Sequence, residues 1–302
     1  MRNRFVNFFA QKFLKIKISS SSGRLVKRLG YPGRTKLLII HADDLGLSSS
    51  ENRASIEAFK HGMVNSGSIM APCPKFKEIA DFSRSFPEAD LGIHLTLTSE
   101  WISYKWGPIL SPDEVASLVD SNGYFFENKI SLVKNFNMKD IEKELRAQIN
   151  LVIESGIKLT HIDTHMLTAF FNPSIQKIYI ALGKEYKLPA LLNKDISIIN
   201  FDIQKEIFVN RLYSAQPEHY RNGLDNFYRK VLKSLKPGLN CILVHVAYDN
   251  KEMQEITQNQ INHGSDWRQK DFDFFTSSEC KDLINNRNIQ MITWREIRDK
   301  LI

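Results

Sequence analysis

The chain has 302 residues, 42% of them hydrophobic and 25% charged, which is long enough to bury one large α/β core or two smaller ones. A formal net charge of +7 is modest for that length, and Lys and Arg are spread out with no long block beyond the N-terminus, so composition argues against a nucleic-acid partner. Cys73, Cys241 and Cys280 stand alone without CxxC spacing, which excludes a zinc ribbon and a disulfide framework and points to a reducing, cytoplasmic setting.

In chain order, residues 1–17 place Phe5, Phe9, Phe13 and Ile16 on one helical stripe with basic residues interspersed. Such a segment can lie on a membrane surface, but Gln11 and Lys12 interrupt the apolar core that a secretory signal needs. It is read as a packed or loosely ordered extension with the serine run at 19–22 as its linker. Residues 1–35 then form the extension and 36–302 a single domain. A membrane contact through the extension is the alternative. No later stretch approaches the roughly 20 apolar residues of a spanning helix.

The run Leu37 to Ile40 reads as a strand buried on both faces. Further strands are predicted over 66–71 and 91–97, around 161–165, at Leu191-Leu192, and over 241–246 and 290–293. Helices are predicted over 51–62, 76–86, 139–156, 173–186, 224–235, 280–286 and 294–301. The clearest is 139–156, where Ile141, Leu145, Ile149, Val152 and Ile153 share a side. Residues 101–123 are irregular and aromatic, and a long insertion after a strand is often a functional loop. About seven strand–helix units without an internal repeat predict an α/β fold, a distorted parallel (β/α) barrel of about seven strands in one domain. An open doubly wound sheet is the runner-up, although no glycine-rich dinucleotide loop follows the first strand.

The first apolar run breaks abruptly into His41, Asp43, Asp44 and Gly46. Adjacent carboxylates in a cleft repel unless a cation or a shared proton relieves them; the plainer reading is a strand end with an Asx turn. Polar groups recur at later strand ends: His94, then His161, Asp163 and His165, then His245. In a parallel barrel those ends open on one face, so residues distant in sequence can converge there. A lone histidine is usually a satisfied surface or core residue, the reading given to His61, His219 and His263. Cys241, in an apolar run, reads as a small core residue. Carboxylate and imidazole ligands with open positions suit a divalent cation, and a second carboxylate would be free to take a proton from water that the cation acidifies.

Three ordered segments, HADDLG from His41, GIHLTLT from Gly92 and THIDTH from Thr160, resemble the motifs of the YdjC-like carbohydrate deacetylases, which include the chitooligosaccharide deacetylases. The likeness spans residues 36–294. It implies a distorted (β/α) barrel and metal-dependent removal of acetyl groups from N-acetylated carbohydrates. It also implies roles: Asp44, His94 and His165 as ligands of a divalent metal, Mg²⁺ or Zn²⁺, and Asp43 as general base. His245, placed like a late histidine of the related polysaccharide deacetylases, is implied as general acid for the leaving amine. The expected partner is an N-acetylated oligosaccharide or amino sugar, and a homodimer is left open. Trp101, Tyr104 and Trp106 either stack on sugar faces or pack a core of their own. Asp163 and His161 either orient ligands or cap the strand, while Arg268 and Asp271 either reach the site from a late loop or, the reading preferred, form an ordinary surface ion pair. Where many members carry additional histidines, this chain reads Met166-Leu-Thr-Ala169. A carbohydrate-binding protein of little turnover and a hydrolase of another amide or ester are the competing functions.

Overall fold

The computed structural model describes residues 21–200 and 206–302, so the amphipathic stripe expected at 5–16 lies outside the described residues. Among the described residues seven parallel strands form the centre: β1 (Lys36–Leu45), β2 (Ser66–Ile69), β3 (Leu91–Leu95), β4 (Ile162–Thr164), β5 (Arg211–Ser214), β6 (Gly238–Val244) and β7 (Ile289–Met291). β1 pairs with β6 along Lys36 to Ala42. On its other side it pairs first with β7 and then, from His41, with β2. β3 and β4 extend the sheet beyond β2, and β5 extends it beyond β6.

Between the outer strands β4 and β5, residues 189–192 complete the ring. The Ile162 amide donates to Pro189 O (3.0 Å), the Leu191 amide to Ile162 O (2.9 Å), and the Val209 amide to Leu192 O (2.7 Å). The result is the expected distorted parallel barrel. The strand predicted at Leu191-Leu192 occupies a strand's place but forms only a bridge between Ile162 and Ala190. β5, whose half-buried residues carry no apolar run, escapes a periodicity reading.

Side-chain alternation along β1 sorts the core into two parts. Leu38, Ile40 and Ala42 join Ala54, Ile79, Leu145 and Ile149 of the surrounding helices. Leu37 and Ile39 instead meet Leu239 and Cys241 of β6, with Leu25, Val26 and Leu29 from the segment beginning with helix Ser21–Arg28 and Trp294 and Ile297 from helix Trp294–Leu301. Part of the stretch expected as extension and linker is therefore packed against the barrel. His41 and Asp43 continue the odd-numbered series, so this face of β1 changes from hydrocarbon to imidazole to carboxylate towards its C-terminal end. Among the described residues no helix is long and apolar enough to cross a membrane.

Gly92 on β3 is required by close approach. A Cβ there would lie 2.4 Å from His161 Nε2, and that ring is stacked on Trp294 (centroids 5.2 Å apart) and edge-on to His41 (4.9 Å). With no room to retreat, Gly92→Ala is expected to cost about 1–3 kcal/mol by overpacking, read as a lowered urea midpoint at unchanged m-value.

Candidate active site

The site begins with an irregularity in β1. Ala42 faces Gly67 of β2 and Leu45 faces Ile69, so three steps along one strand match two along the other, which is a β-bulge. Asp44 sits at φ 66°, a left-handed conformation uncommon outside glycine, and Gly46 follows at φ 99°. In a regular strand neighbouring side chains point to opposite faces. Here Asp43 and Asp44 both line one cavity of about 520 Å³.

Asp44 Oδ1 lies 3.1 Å from His165 Nδ1 and 3.4 Å from His94 Nε2. One donor atom from each of the three residues falls within 4.8 Å of the others, and all three residues are buried. The far nitrogen of each imidazole faces another carboxylate: His94 Nδ1 donates to Asp163 (2.8 Å), and His165 Nε2 to Glu100 (2.9 Å). Asp163 also accepts from His41 (2.9 Å) and Ser68 (2.8 Å). Asp44 Oδ2 accepts from Arg268 Nη2 (3.0 Å). Asp43 is differently placed. Its Oδ1 is buried without a hydrogen bond, 3.4 Å from His41 Nε2, while its Oδ2 is 3.8 Å from His245 Nε2. All five residues nominated from sequence, Asp43, Asp44, His94, His165 and His245, thus surround one space.

The adjacent acids differ in charge behaviour. Burial pushes the Asp43 carboxyl up to about 7, with His94 and His41 pulling against it. Burial pushes Asp44 the same way, but with no cation bound, hydrogen bonds from His165 and His94, each then protonated on both nitrogens, and the Arg268 guanidinium hold it well below the usual carboxylate range. Burial pushes His245 well down. One acid is therefore a firm anion and the other is poised near neutrality. The donor set fits a divalent cation: two imidazoles, each braced by a carboxylate, converge on one ionised oxygen, with a cavity open beside them.

Residues 37–286 match the family described as YdjC-like protein. The chain belongs to the YdjC-like family. It is 29% identical over 290 residues to the carbohydrate deacetylase of Thermus thermophilus, covering 92% of this chain and 99% of that one. It is also 29% identical over 264 residues to the carbohydrate deacetylase of Brevibacillus brevis, with 86% and 99% covered. A crystal structure from Enterococcus faecalis, described as a candidate cellobiose-phosphate cleavage protein, superposes with a TM-score of 0.74 at 28% identity, covering 87% of this chain and 99% of that one.

Several expectations about this YdjC-like chain need correction. Arg268 and Asp271 are not a surface ion pair in a loop. Both are buried on helix Ser265–Thr276. Arg268 binds Asp44 and Glu51 and lies over the Trp101 ring. Asp271 accepts from the Tyr228 hydroxyl (2.6 Å) and the His245 amide (3.0 Å), anchoring the backbone at His245. His263, set aside as an ordinary histidine, lines the cavity edge-on to His245 (4.9 Å) at φ 57°. Trp106 is buried and donates to Thr98 O (2.9 Å), so it packs the loop, whereas Trp101 reaches the cavity. Asp163 orients His94, but His161 bonds Thr160 and touches no proposed ligand. After His165, where the sequence already reads Met166-Leu-Thr-Ala169, Met166, Leu167 and Phe170 form an apolar wall of the cavity, with Met166 and Leu167 both at φ 54°. Glu100 and Glu51 carried no sequence signal.

Proposed function

We propose that this YdjC-like protein is a metal-dependent carbohydrate deacetylase that hydrolyses the acetamide of an N-acetylated sugar to acetate and a free amine. The reading is carried by the meeting of Asp44, His94 and His165 beside Asp43, in a chain whose relatives from Thermus thermophilus and Brevibacillus brevis are named carbohydrate deacetylases. Asp44, His94 and His165 would hold the cation, and two nitrogens with one oxygen favour Zn²⁺ or a similar transition ion over oxygen-preferring Mg²⁺. When bound, the cation supplies Lewis acidity that polarises the acetyl carbonyl and acidifies water.

The chain's own groups carry the protons. Asp43 takes one from water, as a general base poised near neutrality can. Water oxygen bonds to the carbonyl carbon, and as the C–N bond breaks the proton taken by Asp43 passes to His245, whose Nε2 lies 3.8 Å from Asp43 Oδ2, and from it to the departing nitrogen. Asp44 stays ionised beside the Arg268 guanidinium. Trp101, Met166, Leu167 and Phe170 offer apolar surface to the C–H face of a sugar ring. Three free, buried cysteines accord with a reducing cytoplasm.

Chelator-stripped protein is expected to be inert, and protein reloaded with Zn²⁺ to release acetate from a panel of N-acetylated mono- and oligosaccharides. Loaded protein that binds sugar yet frees no acid from either amide or ester panels would overturn the reading in favour of a binding protein. Activity confined to the ester panel would favour a different hydrolase.

A further inference from the structure

Glu100 opens the long insertion that follows β3, and its surroundings fix where its carboxylate goes. The preceding residue, Ser99, is held at three atoms: its amide donates to Phe126 O (2.9 Å), its Oγ accepts from the Trp106 amide (3.0 Å), and its carbonyl accepts from Lys105 Nζ (2.7 Å). The Trp106 ring meets His165 edge-on at 6.0 Å. So fastened, Glu100 sets both carboxylate oxygens against His165 Nε2, at 3.1 and 2.9 Å. Among the described residues this imidazole is the carboxylate's hydrogen-bond partner. The arrangement mirrors the other proposed ligand, with the nitrogens exchanged. His94 turns Nε2 to Asp44 and Nδ1 to Asp163, whereas His165 turns Nδ1 to Asp44 and Nε2 to Glu100.

We infer that Glu100 is a positioning residue of the metal centre: by accepting the Nε2 proton of His165 it fixes the tautomer whose Nδ1 lone pair faces the cation, the service Asp163 performs for His94. Without an acceptor at Nε2 the ring can hold its proton on Nδ1 and rotate away, and the donor is lost for part of the time. The fastening of Ser99 to Trp106 and Phe126 then serves metal binding through Glu100. The inference rests on the proposed reading of His165 as a ligand.

The test is calorimetric titration of chelator-stripped protein with Zn²⁺ for wild type, Glu100→Ala, Glu100→Gln and His165→Ala. Glu100→Ala is expected to weaken Zn²⁺ binding about 10–100-fold, the usual effect of removing a ligand's orienting partner. Its metal-free melting temperature should stay unchanged. Glu100→Gln, whose amide oxygen still accepts, should recover most of the loss. Nitrogen-15 spectra should show a slowly exchanging His165 Nε2 proton in wild type that disappears in Glu100→Ala while the His94 Nδ1 proton persists. Unchanged affinity in Glu100→Ala would overturn the inference and leave the ligand set standing. A loss as complete as in His165→Ala would overturn it by making Glu100 a ligand itself. Wild-type affinity in His165→Ala would overturn the ligand assignment beneath it.

Discussion

Asp43→Asn is expected to slow acetate release by about 10²–10⁴-fold, the usual contribution of a positioned general base, while Zn²⁺ affinity stays close to wild type. Asn preserves the shape of the side chain, and among the described residues the buried Oδ1 has no hydrogen bond to lose. Asp44→Ala should behave oppositely and abolish tight binding, because it removes the oxygen on which both imidazoles converge. Titration calorimetry and initial rates on the same preparations check both. Asp43, His94 and Asp163 also bring donor atoms within 4.8 Å of one another, so a competing ligand set exists. Asp163 is already committed to His94, His41 and Ser68, which argues against it. Equal loss of Zn²⁺ in the two variants would show that Asp43 is a ligand and that the two acids do not divide the work.

Arg268→Leu is expected to destabilise the fold by about 3–5 kcal/mol, the effect of breaking a buried charge network from one side. The guanidinium is almost entirely enclosed and lies between Asp44 and Glu51, itself fully buried on helix Ser49–His61. Arginine keeps its charge in any protein environment, so its removal strips buried Glu51 of its cation and leaves Asp44 only its two imidazoles. Urea denaturation of metal-free protein measures the loss. Adding Glu51→Leu should restore part of it, since replacing a whole ion pair with hydrocarbon of similar size is far milder than stranding one half. If Arg268→Leu unfolds at the wild-type midpoint, the network does not stabilise the fold.

Much of the barrel was legible because its inner strands are apolar runs ending in polar groups. β1 announces itself in Leu37 to Ile40, and β6 in Cys241 to Val244. β5 did not, since Arg211-Leu-Tyr-Ser214 is half-buried throughout and resembles a loop. The same holds for the site. His94, His165 and the aspartate pair stand at strand ends, where the barrel itself makes them neighbours. Arg268 and Asp271 sit on a helix that is buried around more than one side, with Trp267, Phe272, Phe274 and Phe275, so no single stripe marks the charged residues as interior. Glu100 depends on how Ser99 and Trp106 fold an irregular segment back onto its own strand. No spacing rule encodes that return.

The extra residue in β1 between Ala42 and Leu45 explains how consecutive positions in the chain can serve different chemical duties. Deleting one residue there would straighten the strand, restore its pleat and swing one acid out among the helices, even though every other site residue kept its place. Catalytic competence in this architecture is thus sensitive to chain length at one point as well as to side-chain identity, and a shortened variant would retain its barrel while losing either its grip on the ion or its proton acceptor.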